Sequence, residues 1–149
     1  MARAFAEIAF TPTVMAAQER LGSREVYAAL ATPEAPRGDR LSARETAFIQ
    51  ARDGFYQASV NADGWPYVQF RGGPAGFLRV VDDQTIAYAD FRGNRQYLSL
   101  GNFAENDRVA LILMDYARRR RLKIWGRVRV VEVTEDSGLA VSLAVPGYR

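Results

Sequence analysis

The sequence predicts a mainly β protein with flanking helices, an α+β chain built on an antiparallel barrel or folded sheet. Three observations carry this. Residues 1 to about 52 space their apolar positions as helices do. From Gly54 onward the period shortens toward two, with turn signals between the runs. About six such runs follow, interrupted by one short helical stretch, and strands joined by tight turns favour an antiparallel barrel over a doubly wound fold.

The elements follow in order. In "TPTVMAAQERLG", Val14, Ala17 and Leu21 fall at helical spacing and Gly22 is a stop. A second short helix follows Ser23, with Val26, Tyr27 and Leu30 as its apolar face. "TPEAPRGD" carries two prolines and a glycine and reads as a loop. Ser42 and Glu45 form a capping-box pattern for a helix carrying Ala47, Phe48 and Ala51. "GFYQASVNADGWPYVQFRGG" is a β-hairpin turning at Asn61–Gly64, and "GFLRVVDDQTIAYADF" repeats the scheme around Asp82 and Asp83. "RVALILMDY" is a strongly apolar strand. The basic run Arg118 to Arg121 links it to "LKIWGRVRVVEV", a long strand with Leu122, Ile124, Gly126, Val128 and Val130 on one face and Lys123, Trp125, Arg127 and Arg129 on the wet one. Thr134 is positioned to cap a last helix through Val141.

Composition narrows the function. The chain has 149 residues, 48% of them hydrophobic, which suits a single domain with a sizeable core. Twenty basic residues against seventeen acidic ones leave a net charge of +3, which permits an anionic ligand without demanding nucleic acid. There is no cysteine, so disulfides and thiolate metal sites are excluded. There is no histidine either, which removes the commonest metal ligand and the commonest general base near neutral pH. Any enzymatic chemistry is therefore expected to sit on a bound cofactor. No apolar run approaches the roughly 20 residues of a membrane span, and "MARAFAEIAFTP" lacks the apolar core of a secretory signal. The expected location is cytoplasmic.

One stretch asks for a ligand. "DFRGNRQYLSLGN" places Arg92 and Arg95 around Gly93 and Asn94, where an extended run gives way to a helix. With Asn94 as N-cap, Arg95 would stand in the first turn and Gly101 would end the helix. A cation there is unfavourable for the helix alone, so an anion, ideally a phosphate, is expected to complete the site. The plainer alternative is a solvated loop whose arginines pair with Asp90 or Glu105. Arg71 ends a strand just before Gly72 and Gly73, where a ligand can approach the backbone closely; an ordinary turn with an exposed arginine is the alternative. The run Arg118 to Arg121 is expected to be a solvated turn more than a nucleic-acid contact.

Taken together, "RGGPAGFL", "DFRGNRQY", "LMDY" and "RRRLKIWGRVRVVE", in that order, resemble the pyridoxamine 5′-phosphate oxidase-like flavoproteins, FMN-binding split barrels. The resemblance covers most of the chain, from about "FTPTV" onward. It implies an FMN at a homodimer interface. It aligns Gln69, Phe70, Arg71 and Gly72 along the flavin ring, and Asp90, Phe91, Asn94, Arg95 and Gln96 with the ribityl chain and phosphate. The oxidase's Ser-Arg-Lys triplet reads Asn94-Arg95-Gln96 here, so the missing lysine charge falls to Arg92 or Arg71. Arg121 and Lys123 are the candidates contributed by the partner subunit. The oxidase's Trp and Arg-x-His substrate motif has no counterpart, so the resemblance does not carry pyridoxamine phosphate oxidation itself over to this chain. Relatives continue past "PGYR" into a further strand and a tail that reaches the flavin, so a shortened chain or a more open site is expected. The function implied is FMN-dependent redox chemistry on a small molecule. The alternatives are a non-catalytic flavin-binding or sensing protein and, less favoured, a small basic barrel for single-stranded nucleic acid.

Overall fold

The computed structural model describes residues 3–145; the "PGYR" segment lies outside them. The chain divides into two compact units, Met1–Ser42 and Ala43–Arg149. The first holds helices α1 (Arg3–Ala9), α2 (Pro12–Arg20) and α3 (Arg24–Ala28), followed by one 3-10 turn. Thr11 starts α2, its hydroxyl accepting the Val14 N–H at 3.3 Å, with Pro12 in the first turn where no N–H is needed. Gly22 stops it at φ +73°, as the sequence predicts. Phe10 and Tyr27 meet edge to face at 6.0 Å.

The second unit contains α4 (Ala43–Gln50), strands β1 (Gly54–Val60), β2 (Pro66–Gly72), β3 (Arg79–Val80) and β4 (Ile86–Ala87), α5 (Leu98–Glu105), β5 (Arg108–Asp115), β6 (Arg120–Arg127) and α6 (Ser137–Leu143). The antiparallel α+β class expected from the sequence holds. The sheets are a four-stranded one in the order β2-β1-β5-β6 and a separate β3-β4 ribbon, and the four-stranded sheet does not close on itself. The hairpin turns where Asn61 was expected to turn it. The Asn61 side chain accepts the Trp65 N–H at 2.8 Å, and Gly64 takes φ +87°.

Alternation decides which face is inside. Phe55, Gln57 and Ser59 of β1 and Leu111, Leu113 and Asp115 of β5 are buried. Phe77 and Leu78, before β3, are buried as well, and the Phe55 and Phe77 rings stack at 5.8 Å.

Four local expectations are corrected. The helix after the arginine loop begins at Leu98, not Arg95, and Gly101 lies inside it. The last strand ends at Arg127, because its partner β5 begins at Arg108; the Val128 N–H to Asp107 carbonyl bond at 2.7 Å lies just beyond the ladder. Asp136, not Thr134, caps the last helix, its carboxylate accepting the Leu139 N–H at 2.8 Å. In α4 the buried residue is Ile49, while Ala47 and Ala51 are exposed. Among the described residues no helix is long and apolar enough to cross a membrane.

Candidate functional site

Strand β2 lies at an edge of the sheet, so one side of its backbone has no ladder partner there. Its side chains alternate. Gln69 and Arg71 stand on the inner face, in register with Gln57 and Phe55, whereas Phe70 stands on the outer face opposite Tyr56. Arg71 is largely enclosed and forms an ion pair with the Asp90 carboxylate. Its guanidinium lies 5.8 Å from the centre of the Tyr88 ring, and its Nε is buried without a partner. Nine residues after Asp90, Ser99 at the start of α5 donates its hydroxyl to Gln69 Oε1 at 3.1 Å. The segment from Asp90 to Ser99 therefore leaves β2 and returns to it, tied to two side chains on one face of the strand.

The loop so closed has an unusual backbone. Gly93, Arg95 and Tyr97 have φ of +47°, +60° and +55°. For arginine and tyrosine the left-handed region costs roughly 1–2 kcal/mol each. Asn94 does not cap α5. Its side chain accepts the Gln96 N–H at 3.1 Å and donates to Gln96 Oε1 at 3.1 Å, making a local turn. Tyr97 occupies the cap position without a side-chain bond. Arg92 and Arg95 are exposed and form no ion pair among the described residues. Their expected partner in a merely solvated loop, Asp90, is engaged by Arg71. Turn-rich runs of this kind gather backbone N–H groups into concavities that suit anions.

Behind the loop lies a layer of side chains that the sequence did not single out. Tyr88 donates its hydroxyl to Gln57 Oε1, and the Asn102 amide donates to Ser59 Oγ at 2.9 Å. Burial pushes the Tyr88 phenol pKa up; the Arg71 charge opposes this, Asp90 adds to it, and the Gln57 bond opposes it. Phe91, at the root of the loop, lies 6.3 Å from Phe77 and so reaches the core. A polar residue at a buried strand position, as in "FYQAS", is the one signal that could have flagged Gln57.

The remaining candidates lie on the outer face. Phe70 is 58% exposed and packs against Tyr56 with ring centres 5.3 Å apart. It also covers Gly54 and Gly72. A Cβ at Gly54 would meet the ring at 2.4 Å, and one at Gly72 would meet it at 2.9 Å. The chain's own Phe70 thus occupies the close approach expected for a ligand at Gly72. Gly54→Ala is expected to swing the Phe70 ring outward while the hairpin persists, seen as loss of the Phe70–Tyr56 nuclear Overhauser contact. Arg121 and Lys123 share this outer face, with Lys123 opposite Ile112 and Ile112 opposite Tyr56. The structure therefore gathers Gln69, Arg71, Asp90 and the loop into one cluster and sets Phe70, Arg121 and Lys123 on the other side of the sheet.

The basic run is partly explained without a ligand. Asp115, 3% exposed, accepts the Arg118 N–H at 3.1 Å and Arg120 Nη2 at 3.1 Å, with Arg52 Nη2 at 3.7 Å. Arg52 also donates to the Met114 carbonyl at 3.1 Å, joining the end of α4 to β5. Burial alone would raise the Asp115 pKa. The bonds from Arg118 and Arg120 and the charges of Arg52 and Arg118 outweigh it, so the carboxyl sits below its ordinary value. A depressed folded-state pKa contributes stability that is present above the unfolded value, about 3.9, and is lost as pH falls through the folded one. Thermal melts of the wild type should therefore show an acid limb below about pH 4. Asp115→Asn should have a lower melting temperature at pH 7 and a shallower limb.

Two surface depressions, of about 410 and 310 Å³, lie near Asp107 and Arg127 and near Val80 and Leu143. None of the candidate cofactor residues lines either one.

The family model described as pyridoxamine 5′-phosphate oxidase matches residues 41–144. No curated protein matches the chain. A solved structure of HupZ from Group A Streptococcus is similar at a TM-score of 0.47 and 19% identity. The match covers 58% of this chain and 66% of that one, just short of two thirds of its length.

Proposed function

Because the chain belongs to the pyridoxamine 5′-phosphate oxidase family, we propose that it binds FMN, with the phosphate in the loop between Asp90 and Ser99, and uses it in redox chemistry on a small molecule. The observation that carries this reading is the loop itself. It is closed on β2 by Asp90 and Ser99, and it presents Arg92 and Arg95 without internal counter-ions among the described residues. Two guanidiniums match a phosphate monoester, which carries about −1.5 to −2 charges at neutral pH.

The residues present fit the group with one change from the sequence expectation. Arg71 is already neutralised by Asp90, so its task is to hold the loop's root. The missing lysine charge falls to Arg92. The free edge of β2 offers backbone donors and acceptors for the polar rim of a flavin ring, between Gln69 and Gly72. Once bound, a flavin supplies hydride or single-electron exchange with the small molecule; the chain's part is to hold the phosphate, orient the ring and exclude water.

The outer face supports a homodimer. Phe70, Val68, Tyr56 and Trp125 are all at least partly exposed there, at 58, 61, 36 and 44%. A second copy laid on this face would also meet Arg121 and Lys123, which share it with Phe70 and Tyr56. A second reading is a non-catalytic flavin carrier or sensor: with no histidine and no cysteine, any turnover would rest on the flavin itself or on carboxylates, hydroxyls and amines.

The test is an absorption spectrum of the purified protein, followed by FMN titration and sedimentation. Oxidised-flavin bands released on denaturation, one FMN per chain and a dimer are expected. A chain that neither purifies with FMN nor takes it up would end the reading. Turnover with a reduced nicotinamide and an acceptor separates enzyme from carrier.

A further inference from the structure

We propose that Gln57 and Tyr88, neither of which touches the loop's arginines, are positioning residues that set the anion-holding loop; assigning that loop to the FMN phosphate rests on the reading above. Gln57 is 1% exposed, in register with Gln69 on one side and Leu111 on the other. A leucine or methionine would fill this inner position without a desolvation penalty. The glutamine instead leaves its Nε2 buried and unpartnered, a desolvation cost with no hydrogen bond to offset it. Its Oε1 meets that cost with a single function: it receives the Tyr88 hydroxyl.

The chain of contacts then runs outward. Phe55 packs edge to face on Tyr88 at 5.2 Å, so the ring is fixed on one side by core and at its tip by Gln57. Arg71 lies over that ring and reaches Asp90, the first residue of the loop. The Nε of Arg71 is buried and makes no hydrogen bond, so the ring beneath it and the Asp90 carboxylate are the contacts that orient this guanidinium. Ring orientation therefore decides where Arg71 points, and Arg71 decides where the loop starts. The far end of the loop is held separately, by Ser99 on Gln69 and Asn102 on Ser59. Losing the Gln57–Tyr88 bond should loosen the Asp90 end while the Ser99 end stays in place.

The test uses Gln57→Met and Tyr88→Phe in the full chain; the second removes one oxygen and keeps the ring under Arg71, so it remains informative if the first variant folds poorly. FMN binding should weaken about tenfold in each, in line with one lost hydrogen bond. Riboflavin, which lacks the phosphate, should bind as it does to the wild type. In the ligand-free variants, 15N relaxation should show greater backbone motion at residues 91–95 and no change in β1, β5 and α5. Equal loss for FMN and riboflavin, or added motion throughout the sheet, would mean a general packing role and overturn the proposal. Unchanged relaxation at 91–95 would overturn it too. If the wild type binds neither flavin yet the variants loosen 91–95, the FMN reading fails and the positioning role stands.

Discussion

Replacing Phe55 with alanine is expected to cost about 3–5 kcal/mol of stability, the usual range for a fully buried phenylalanine. Phe55 is 1% exposed and central in the sheet, with Arg71 opposite on β2 and Leu113 opposite on β5. Its ring stacks on Phe77 at an interplanar angle of 16° and meets Tyr88 at 72°. Those neighbours come from separate loops and cannot both collapse into the space. Since a domain's whole stability is about 5–15 kcal/mol, the melting temperature should fall on the order of 10 °C. Calorimetry on the purified variant checks this. A shift of only a degree or so would mean that the three rings do not form one packed unit.

Removing both Arg92 and Arg95 is expected to have the largest effect on ligand affinity. A hydrogen bond to a charged group contributes about 1.5–3 kcal/mol, so Arg95→Ala alone should weaken FMN about thirtyfold. The two guanidiniums would share one phosphate, so their effects need not add. The double variant should lose between about thirtyfold and a thousandfold. Both side chains are exposed, so stability should hardly change. Fluorescence titration measures the affinity, and riboflavin serves as the control that should not respond. FMN affinity equal to that of the wild type would remove these arginines from the site.

Much of the fold was legible because its signals are local. The Asn61–Gly64 turn, the alternation in β1 and the apolar run of β5 each depend on neighbours in sequence. What escaped depends on partners far along the chain. Nothing near Arg71 announces that Asp90 will neutralise it, and nothing near Gln57 announces Tyr88. Asn94 has the chemistry of a helix cap, but the same side chain can close a turn on Gln96, and it does. The alternation of the last strand continues to Val130 in sequence, yet a strand persists only where another lies beside it, and β5 ends that possibility at Arg108. The arginine pair itself was visible. Its closure onto β2 was not, because that rests on Ser99 reaching a residue 30 positions earlier.

The place of β6 has a consequence for solubility. An open sheet ends in strands whose outward backbone groups could template another chain, and long apolar edges of this kind invite fibril growth. Here the terminal strand is Arg120–Arg127, and it carries Arg120, Arg121, Lys123 and Arg127 within that span. Two such borders brought side by side would press like charges together at the inter-strand spacing of about 4.8 Å. Exchanging Arg121 and Lys123 for neutral residues, with Arg120 and Arg127 kept for their pairs with Asp115 and Asp107, should leave the chain folded and let it clump on concentration, with light scattering rising at low salt where the wild type stays clear.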